Sequence, residues 1–83
     1  MERVAHSIEL FGASGCPYTS ELREHLLWSR VEFIEYDVEA DAVARARLLE
    51  LTGGGAAVPV LVENDCVKEV GWHGRSCAVL SSC

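Results

Sequence analysis

The chain has 83 residues, of which 49% are hydrophobic and 24% are charged, and its formal net charge is −6. This length allows one domain with one modest core. The acidic balance and scattered basic residues argue against a nucleic-acid partner. No stretch approaches the roughly 20 apolar residues of a membrane span, and the first ten residues lack a signal-peptide pattern. We therefore expect a cytoplasmic protein with no membrane partner.

The first three elements are predicted from hydrophobic periodicity. Residues 6–12 alternate polar and apolar side chains, which predicts a strand that ends at Gly12. Residues 17–30 carry apolar side chains at helical spacing and begin with Pro17, a favourable first helical residue. Residues 31–39 alternate with apolar side chains on both faces, which predicts a strand covered on two sides.

The second half of the chain predicts a helix, a hairpin and a final helix. Residues 39–53 are rich in alanine and leucine, with acidic residues leading and glycines following. Two short apolar runs within residues 58–71 flank an Asn-Asp turn at 64–65. The segment after Gly74 predicts a short helix. The order β-α-β-α-β-β-α predicts a single α/β domain over residues 1–83, a mixed four-stranded sheet with helices on both faces.

Cys16 lies at the predicted start of the first helix, just before Pro17. As the N-cap residue it would face unpaired N–H groups and the positive end of the helix dipole. Such surroundings lower the pKa of a thiol from about 8.5 and favour the nucleophilic thiolate. The alternative is a small buried side chain without chemistry. The other cysteines, Cys66, Cys77 and Cys83, form no C-x2-C pair, so no metal site is predicted.

Val58 and Pro59 lie after the second predicted helix and before the hairpin. A proline in this place begins a strand, because it cannot donate to a central ladder. A cis bond before Pro59 would place the backbone N–H and C=O of Val58 next to the cysteine loop.

These features resemble the glutaredoxin family within the thioredoxin fold, from Ile8 to about Leu80. The segments that carry the resemblance are GCPYT (15–19), YDVEADAVARARLLELTG (36–53), VPVLVEND (58–65) and GWHGR (71–75). The resemblance implies a thioredoxin-like fold and a thiol–disulfide oxidoreductase. The chain is most similar to small bacterial glutaredoxin-like proteins with a U-x-x-T or C-x-x-T motif, so it stays open whether Cys16 replaces a natural selenocysteine.

Glutaredoxins commonly carry Cys-Pro-Tyr-Cys, whereas this chain has Thr19 at the fourth position. The resemblance therefore implies a monothiol cycle, in which Cys16 forms a mixed disulfide that glutathione or a second thiol releases. Cys77, placed in the last predicted helix near the active end, is the preferred internal resolving residue, and Cys83 comes next. The Thr19 hydroxyl either donates to the Cys16 thiolate or bonds a carbonyl of its own helix.

The resemblance also implies the residues of the site and its partners. The predicted catalytic motif is Cys16, Pro17, Tyr18 and Thr19, and the predicted substrate-binding residues are Tyr18, Val58, Pro59, Gly71, Trp72 and Arg75. We expect no metal and no covalently bound cofactor, glutathione as co-substrate, glutathione or protein disulfides as partners, and a monomer.

The glutathione pattern is incomplete in this chain. No lysine precedes the cysteine, and the sequence 71–75 replaces the usual glycine pair and acidic residue. The reductant therefore stays open between glutathione and a reductase partner. His73 is either an exposed loop residue or a general base for Cys16. The alternative function is a scaffold for an iron–sulfur cluster with glutathione, although the usual motif of such monothiol glutaredoxins is Cys-Gly-Phe-Ser.

Overall fold

Two helices and six strands make up the protein in the computed structural model, which describes residues 8–55 and 57–78. The elements in chain order are β1 (Ile8–Gly12), α1 (Pro17–Trp28), β2 (Ile34–Asp37), α2 (Ala42–Thr52), β3 (Ala57–Val58), β4 (Val60–Glu63), β5 (Cys66–Val70) and β6 (Cys77–Ala78). Within these described residues, neither helix is long and apolar enough to cross a membrane.

Four of the strands form the predicted mixed sheet, in the order β2-β1-β4-β5. β1 pairs parallel with β2 and antiparallel with β4, and β4 pairs antiparallel with β5. The two remaining strands, β3 and β6, form a separate antiparallel ladder of two residues each. The sequence did not predict this second ladder.

The helices cover opposite faces of the sheet, as predicted. Successive side chains of a strand point to opposite faces. Leu10 of β1 accordingly packs with Leu22 and Leu26 of α1, whereas Phe11 belongs to the cluster that contains Ala44 and Leu48 of α2. β1 therefore contributes side chains to both cores.

The ends of α2 follow from its capping residues. The Asp41 side chain accepts hydrogen bonds from the amides of Val43 and Ala44, at 3.0 and 3.1 Å, and so provides an N-cap. Gly53 ends the helix in the left-handed conformation, with φ of 72°. α2 consequently begins at Ala42, three residues later than the predicted range.

The predicted two-sided cover of the second strand is confirmed only in part. β2 is an edge strand that begins at Ile34, and the Ile34 side chain is 56% exposed. Val31 and Phe33 precede the strand and pack against the cluster around α1. Tyr36, on the other face, packs against the cluster that contains Ala44 and Leu48 of α2, so residues 31–36 contact both cores although β2 itself is short and lies at the edge.

The hairpin is confirmed, but the final helix is wrong within the described residues. Asn64 and Asp65 have φ angles of 52° and 66°, which match a two-residue type I′ turn. Cys77 and Ala78 form β6 where a helix was predicted, because pairing with β3 satisfies their backbone groups. Residues 79–83, which include Cys83, lie outside the described residues.

Candidate active site

Cys16 and Cys77 form a disulfide at the N-terminus of α1. The two residues are 61 positions apart in the chain, and their Cα atoms are 6.1 Å apart, within the usual range for a bridge. Cys16 is only 2% exposed and Cys77 is half-buried. The bond therefore links the start of α1 to β6. The resolving role assigned to Cys77 stays a prediction.

Cys16 is the N-cap residue of α1, as its position before Pro17 predicted. Its backbone is extended, with φ of −95° and ψ of 116°, and Pro17 begins the helix. The Ser20 amide donates to the Cys16 carbonyl at 3.3 Å, and the Cys16 amide donates to the Ala13 carbonyl at 3.1 Å. The loop is thus a tight turn that leads into the helix and holds the sulfur at its positive end.

Thr19 is fully buried and packs against the end of β1. Its Oγ1 accepts a hydrogen bond from the Ala13 amide at 3.4 Å. This contact matches neither of the two roles that the sequence left open, because the partner is the backbone of the cysteine loop. Thr19 therefore ties the loop before Cys16 to the first turn of α1.

The Val58–Pro59 region forms the opposite wall of the site. The peptide bond between these two buried residues is cis, as expected. The Val58 carbonyl oxygen lies 3.9 Å from the Cys16 sulfur. In the β3–β6 ladder, Val58 lies opposite Cys77 and Ala57 lies opposite Ala78. The backbone of Val58 therefore contacts both cysteines of the disulfide.

A turn over residues 71–75 carries the chain from β5 to β6. The Gly71 amide donates to the Pro59 carbonyl at 2.6 Å, and the backbones of Trp72 and Arg75 exchange hydrogen bonds at 2.7 and 3.0 Å. Gly71 has φ of +87°, and a Cβ atom on it would lie 2.7 Å from the Arg75 carbonyl oxygen. Only glycine fits there, so this residue fixes the path that leads to Cys77.

Trp72 anchors the same turn. The half-buried indole packs against the cluster on the α1 face. Its ring centroid lies 5.0 Å from that of His25 on α1 and 4.2 Å from that of His73. Trp72 therefore connects the turn to α1. His73 is exposed, and its role as a general base stays a prediction.

The comparisons with known proteins identify the family. The model of the glutaredoxin family matches residues 8–67. The chain belongs to the glutaredoxin family. A protein described as a probable glutaredoxin from Synechocystis sp. is 31% identical over 58 residues, which cover 70% of this chain and 53% of that relative. The chain thus spans about half the length of this curated relative.

Solved structures agree on the fold. A mutant of the thioredoxin-like protein BC3987 superimposes with a TM-score of 0.73 and 31% identity, covering 81% of this chain and 83% of that one. A structure of the same protein without the mutation gives 0.69 and 32%, covering 75% and 84%. The thioredoxin-like fold implied by the resemblance is therefore confirmed.

The structure brings most of the predicted site residues together. Tyr18 is half-buried and, like Cys77, packs against the α2-face core that contains Cys16 and Val58. Arg75 is exposed at the end of the turn before β6. Within the described part of the chain, no three metal-ligating side chains come together.

Sequence reasoning missed two features of the site. One is Gly12, whose closeness to Thr19 requires the absence of a side chain. The other is His25, which touches Trp72 from the neighbouring helix. A glycine at the end of a strand gave a weak signal for the first feature. The second depends on a contact between residues 47 positions apart, which no local pattern reports.

Proposed function

We propose that this member of the glutaredoxin family is a thiol–disulfide oxidoreductase, with Cys16 as nucleophile and Cys77 as resolving thiol. The observation that carries the proposal is the disulfide between these residues at the N-terminus of α1. A thiol at this end of a helix is favoured as the thiolate. The family match and the thioredoxin-like neighbours support the same reaction class.

The proposed cycle begins with both cysteines reduced. The Cys16 thiolate attacks one sulfur of a substrate disulfide; the other substrate sulfur leaves as a thiolate and takes up a proton. The Cys77 thiolate then attacks the Cys16 sulfur and expels the second substrate thiol. The substrate has gained two electrons and two protons, and the protein has become the disulfide form. The monothiol release by glutathione is thereby replaced by an internal step.

An external reductant must return the protein to the dithiol form. We propose glutathione, two molecules of which supply the two electrons and become oxidised glutathione. The exposed guanidinium of Arg75 suits a glutathione carboxylate, and half-buried Tyr18 packs against the same core as the two bonded cysteines. A reductase is the competing reductant, and a comparison of recycling by glutathione alone and by a thioredoxin reductase separates the two.

The decisive experiment treats the reduced protein with oxidised glutathione and follows the intact mass. The wild-type chain is expected to lose two hydrogens, with a disulfide mapped to Cys16 and Cys77. Cys77→Ser is expected to accumulate a glutathione adduct on Cys16, because the internal thiol is missing. Cys16→Ser is expected to form neither product.

Two results would contradict this assignment. A wild-type chain that accumulates the adduct as persistently as Cys77→Ser would show that glutathione resolves the mixed disulfide by the monothiol route. A disulfide mapped to Cys16 and Cys83 would move the resolving role to the C-terminus. Cys66→Ser provides the matched control, since Cys66 is exposed and reduced and its loss is expected to change neither product.

The iron–sulfur alternative finds little support in the residues present. A cluster needs the Cys16 thiolate as a ligand, and the sulfur is bonded to Cys77 in a position that is 2% exposed. The described residues contain no other grouping of metal-ligating side chains. The disulfide form of the site therefore offers no Cys16 thiolate to a cluster. Visible absorbance after anaerobic purification of Cys77→Ser would reverse this view.

The remaining parts of the proposal concern the natural protein. We propose a monomer in a reducing, cytoplasmic compartment, where a two-cysteine cycle has reduced thiols to draw on. Sedimentation of the reduced protein tests the monomer. A selenocysteine form is a further proposal, in which selenium at position 16 takes the same place in the bond to Cys77. An in-frame UGA codon in the coding sequence would establish it.

A further inference from the structure

The β3–β6 ladder lies directly at the reactive sulfur. β3 has only two residues, and its described partner is β6. Cys77 lies opposite Val58, and its sulfur is bonded to the Cys16 sulfur. β6 is thus an extended segment whose backbone pairs with β3 and whose single cysteine is bonded to Cys16.

Nothing in this arrangement requires the segment to belong to the same chain. β6 contributes an extended backbone and one cysteine sulfur. A substrate cysteine in a mixed disulfide with Cys16 would form the same kind of S–S bond. An extended peptide adds to a free strand edge through backbone hydrogen bonds, with limited dependence on its side chains. The edge of β3 therefore suits a cysteine-containing peptide that runs antiparallel to β3.

The turn at 71–75 brings β6 to this edge without help from the disulfide. The Gly71 amide is hydrogen-bonded to the Pro59 carbonyl, and Trp72 packs against the cluster around α1. The ladder itself has only two residue pairs, and such a short two-stranded pairing is weak on its own. β6 is thus held close to β3 and can still be displaced by another strand.

We propose that β6 is an intramolecular stand-in for the substrate strand, so that β6 and an extended peptide disulfide compete for the edge of β3. The substrate displaces β6 when Cys16 attacks it. The return of β6 then removes the substrate backbone and brings the Cys77 thiolate to the Cys16 sulfur, so resolution and product release occur together. This inference rests on the proposed oxidoreductase function and adds to it the competition between β6 and the substrate.

The test uses two full-length variants that both lack the resolving thiol and carry serine in place of Cys66 and Cys83, so that Cys16 is the one cysteine left. Cys77→Ser keeps a backbone able to pair with β3, whereas Cys77→Pro removes an N–H and disfavours the ladder. The probe is a five-residue peptide whose central cysteine is disulfide-bonded to thionitrobenzoate. Cys16 attacks the peptide sulfur, thionitrobenzoate leaves as a coloured thiolate, and the peptide stays on Cys16. A second peptide, N-methylated at the cysteine and at the next residue, cannot donate to the ladder.

Cys77→Pro is expected to react with the unmethylated peptide about three- to tenfold faster than Cys77→Ser, the factor that one or two ladder hydrogen bonds supply. Cys77→Pro is also expected to prefer the unmethylated peptide by a similar factor. Equal rates for the two variants would overturn the competition by β6, and equal rates for the two peptides would overturn the strand site on β3.

Two controls keep these outcomes separate. Failure of both variants to release thionitrobenzoate from either peptide would reject Cys16 as the nucleophile and with it the proposed function, whereas release without discrimination rejects the strand competition alone. Circular dichroism checks that Cys77→Pro is folded. If it is not, the double variant Cys77→Ser with Ala78→Pro moves the proline to the second ladder residue and makes the same comparison with Cys77→Ser.

Discussion

The side chain of Thr19 occupies the space in which a Cβ atom of residue 12 would lie. A Cβ built on Gly12 would collide with the Thr19 Cγ2 methyl and lie 2.8 Å from Oγ1. Oγ1 of the same threonine accepts a hydrogen bond from the Ala13 amide. The end of β1 and the first turn of α1 are therefore in direct contact, and the loop with Cys16 is held between them.

Gly12→Ala is expected to destabilise the protein by about 1–3 kcal/mol, because the added methyl overfills a site that is already packed. Urea unfolding of the oxidised protein measures the change. The control is the double variant Gly12→Ala with Thr19→Ala, in which most of the obstructing atoms are gone. A sum of the two single effects that equals the effect of the double variant would contradict the contact, since residues that touch are expected to couple.

The sequence predicted the parts of the fold that depend on local patterns. Alternation identified β1, helical spacing identified α1, and the turn residues Asn64 and Asp65 identified the hairpin. The family resemblance identified the cysteine loop and Pro59 as parts of the site. These features are encoded within a few neighbouring residues, so a single sequence is enough to reveal them.

The features that escaped prediction depend on contacts that the folded chain makes and that no local pattern encodes. Cys77 lies in a strand instead of the predicted helix, because its segment pairs with Val58, which is 19 positions earlier in the chain. The alternation over residues 31–39 predicts a covered Ile34, because the sequence does not show that this strand lies at the sheet edge. The two partners predicted for Thr19 did not include the Ala13 amide, because only the turn of the loop brings that amide to the hydroxyl.

Reduction of the Cys16–Cys77 bond is expected to lower the free energy of unfolding by up to about 4 kcal/mol. The bond closes a loop with 61 residues of separation, and the loss of such a constraint increases the entropy of the unfolded chain by about this amount. Thermal unfolding with and without a reductant measures the effect, in a Cys66→Ser background that removes the exposed free thiol. The unfolding temperature of Cys77→Ser should not change with the reductant. A change equal to that of the parent protein would assign the effect to other thiols.

The ion pair between Arg47 and Glu9 is expected to stabilise the join between α2 and β1. Glu9 is only 6% exposed, and its Oε2 accepts from Arg47 Nη1 at 2.6 Å. Arg47→Met leaves this buried carboxylate without its cation, which is expected to cost about 3 kcal/mol. Adding Glu9→Gln to Arg47→Met should recover part of the loss, because the buried charge is then gone. Urea unfolding provides the measurement.

The matched control is a substitution at Asp65, the second ion-pair partner of Arg47. Asp65 accepts from Arg47 Nη2 at 2.5 Å, but its side chain is 81% exposed. Asp65→Asn is therefore expected to cost less than about 1 kcal/mol. Equal losses for Arg47→Met and Asp65→Asn would contradict the view that burial of Glu9 sets the strength of the interaction.

Tyr36 is expected to make stability fall at alkaline pH. Burial raises the pKa of Tyr36 above its ordinary value of 10.0, and the Glu9 carboxylate adds to the shift by its charge and by accepting the phenol hydrogen bond. Because the folded pKa exceeds the unfolded one, the contribution is fully present below about pH 10 and is lost as pH rises through the folded pKa. Urea unfolding of oxidised protein at about pH 9 and about pH 11 brackets this change. Tyr36→Phe removes the ionisable group and should lose stability less steeply over this interval; an identical slope in both proteins would assign the alkaline loss to other groups.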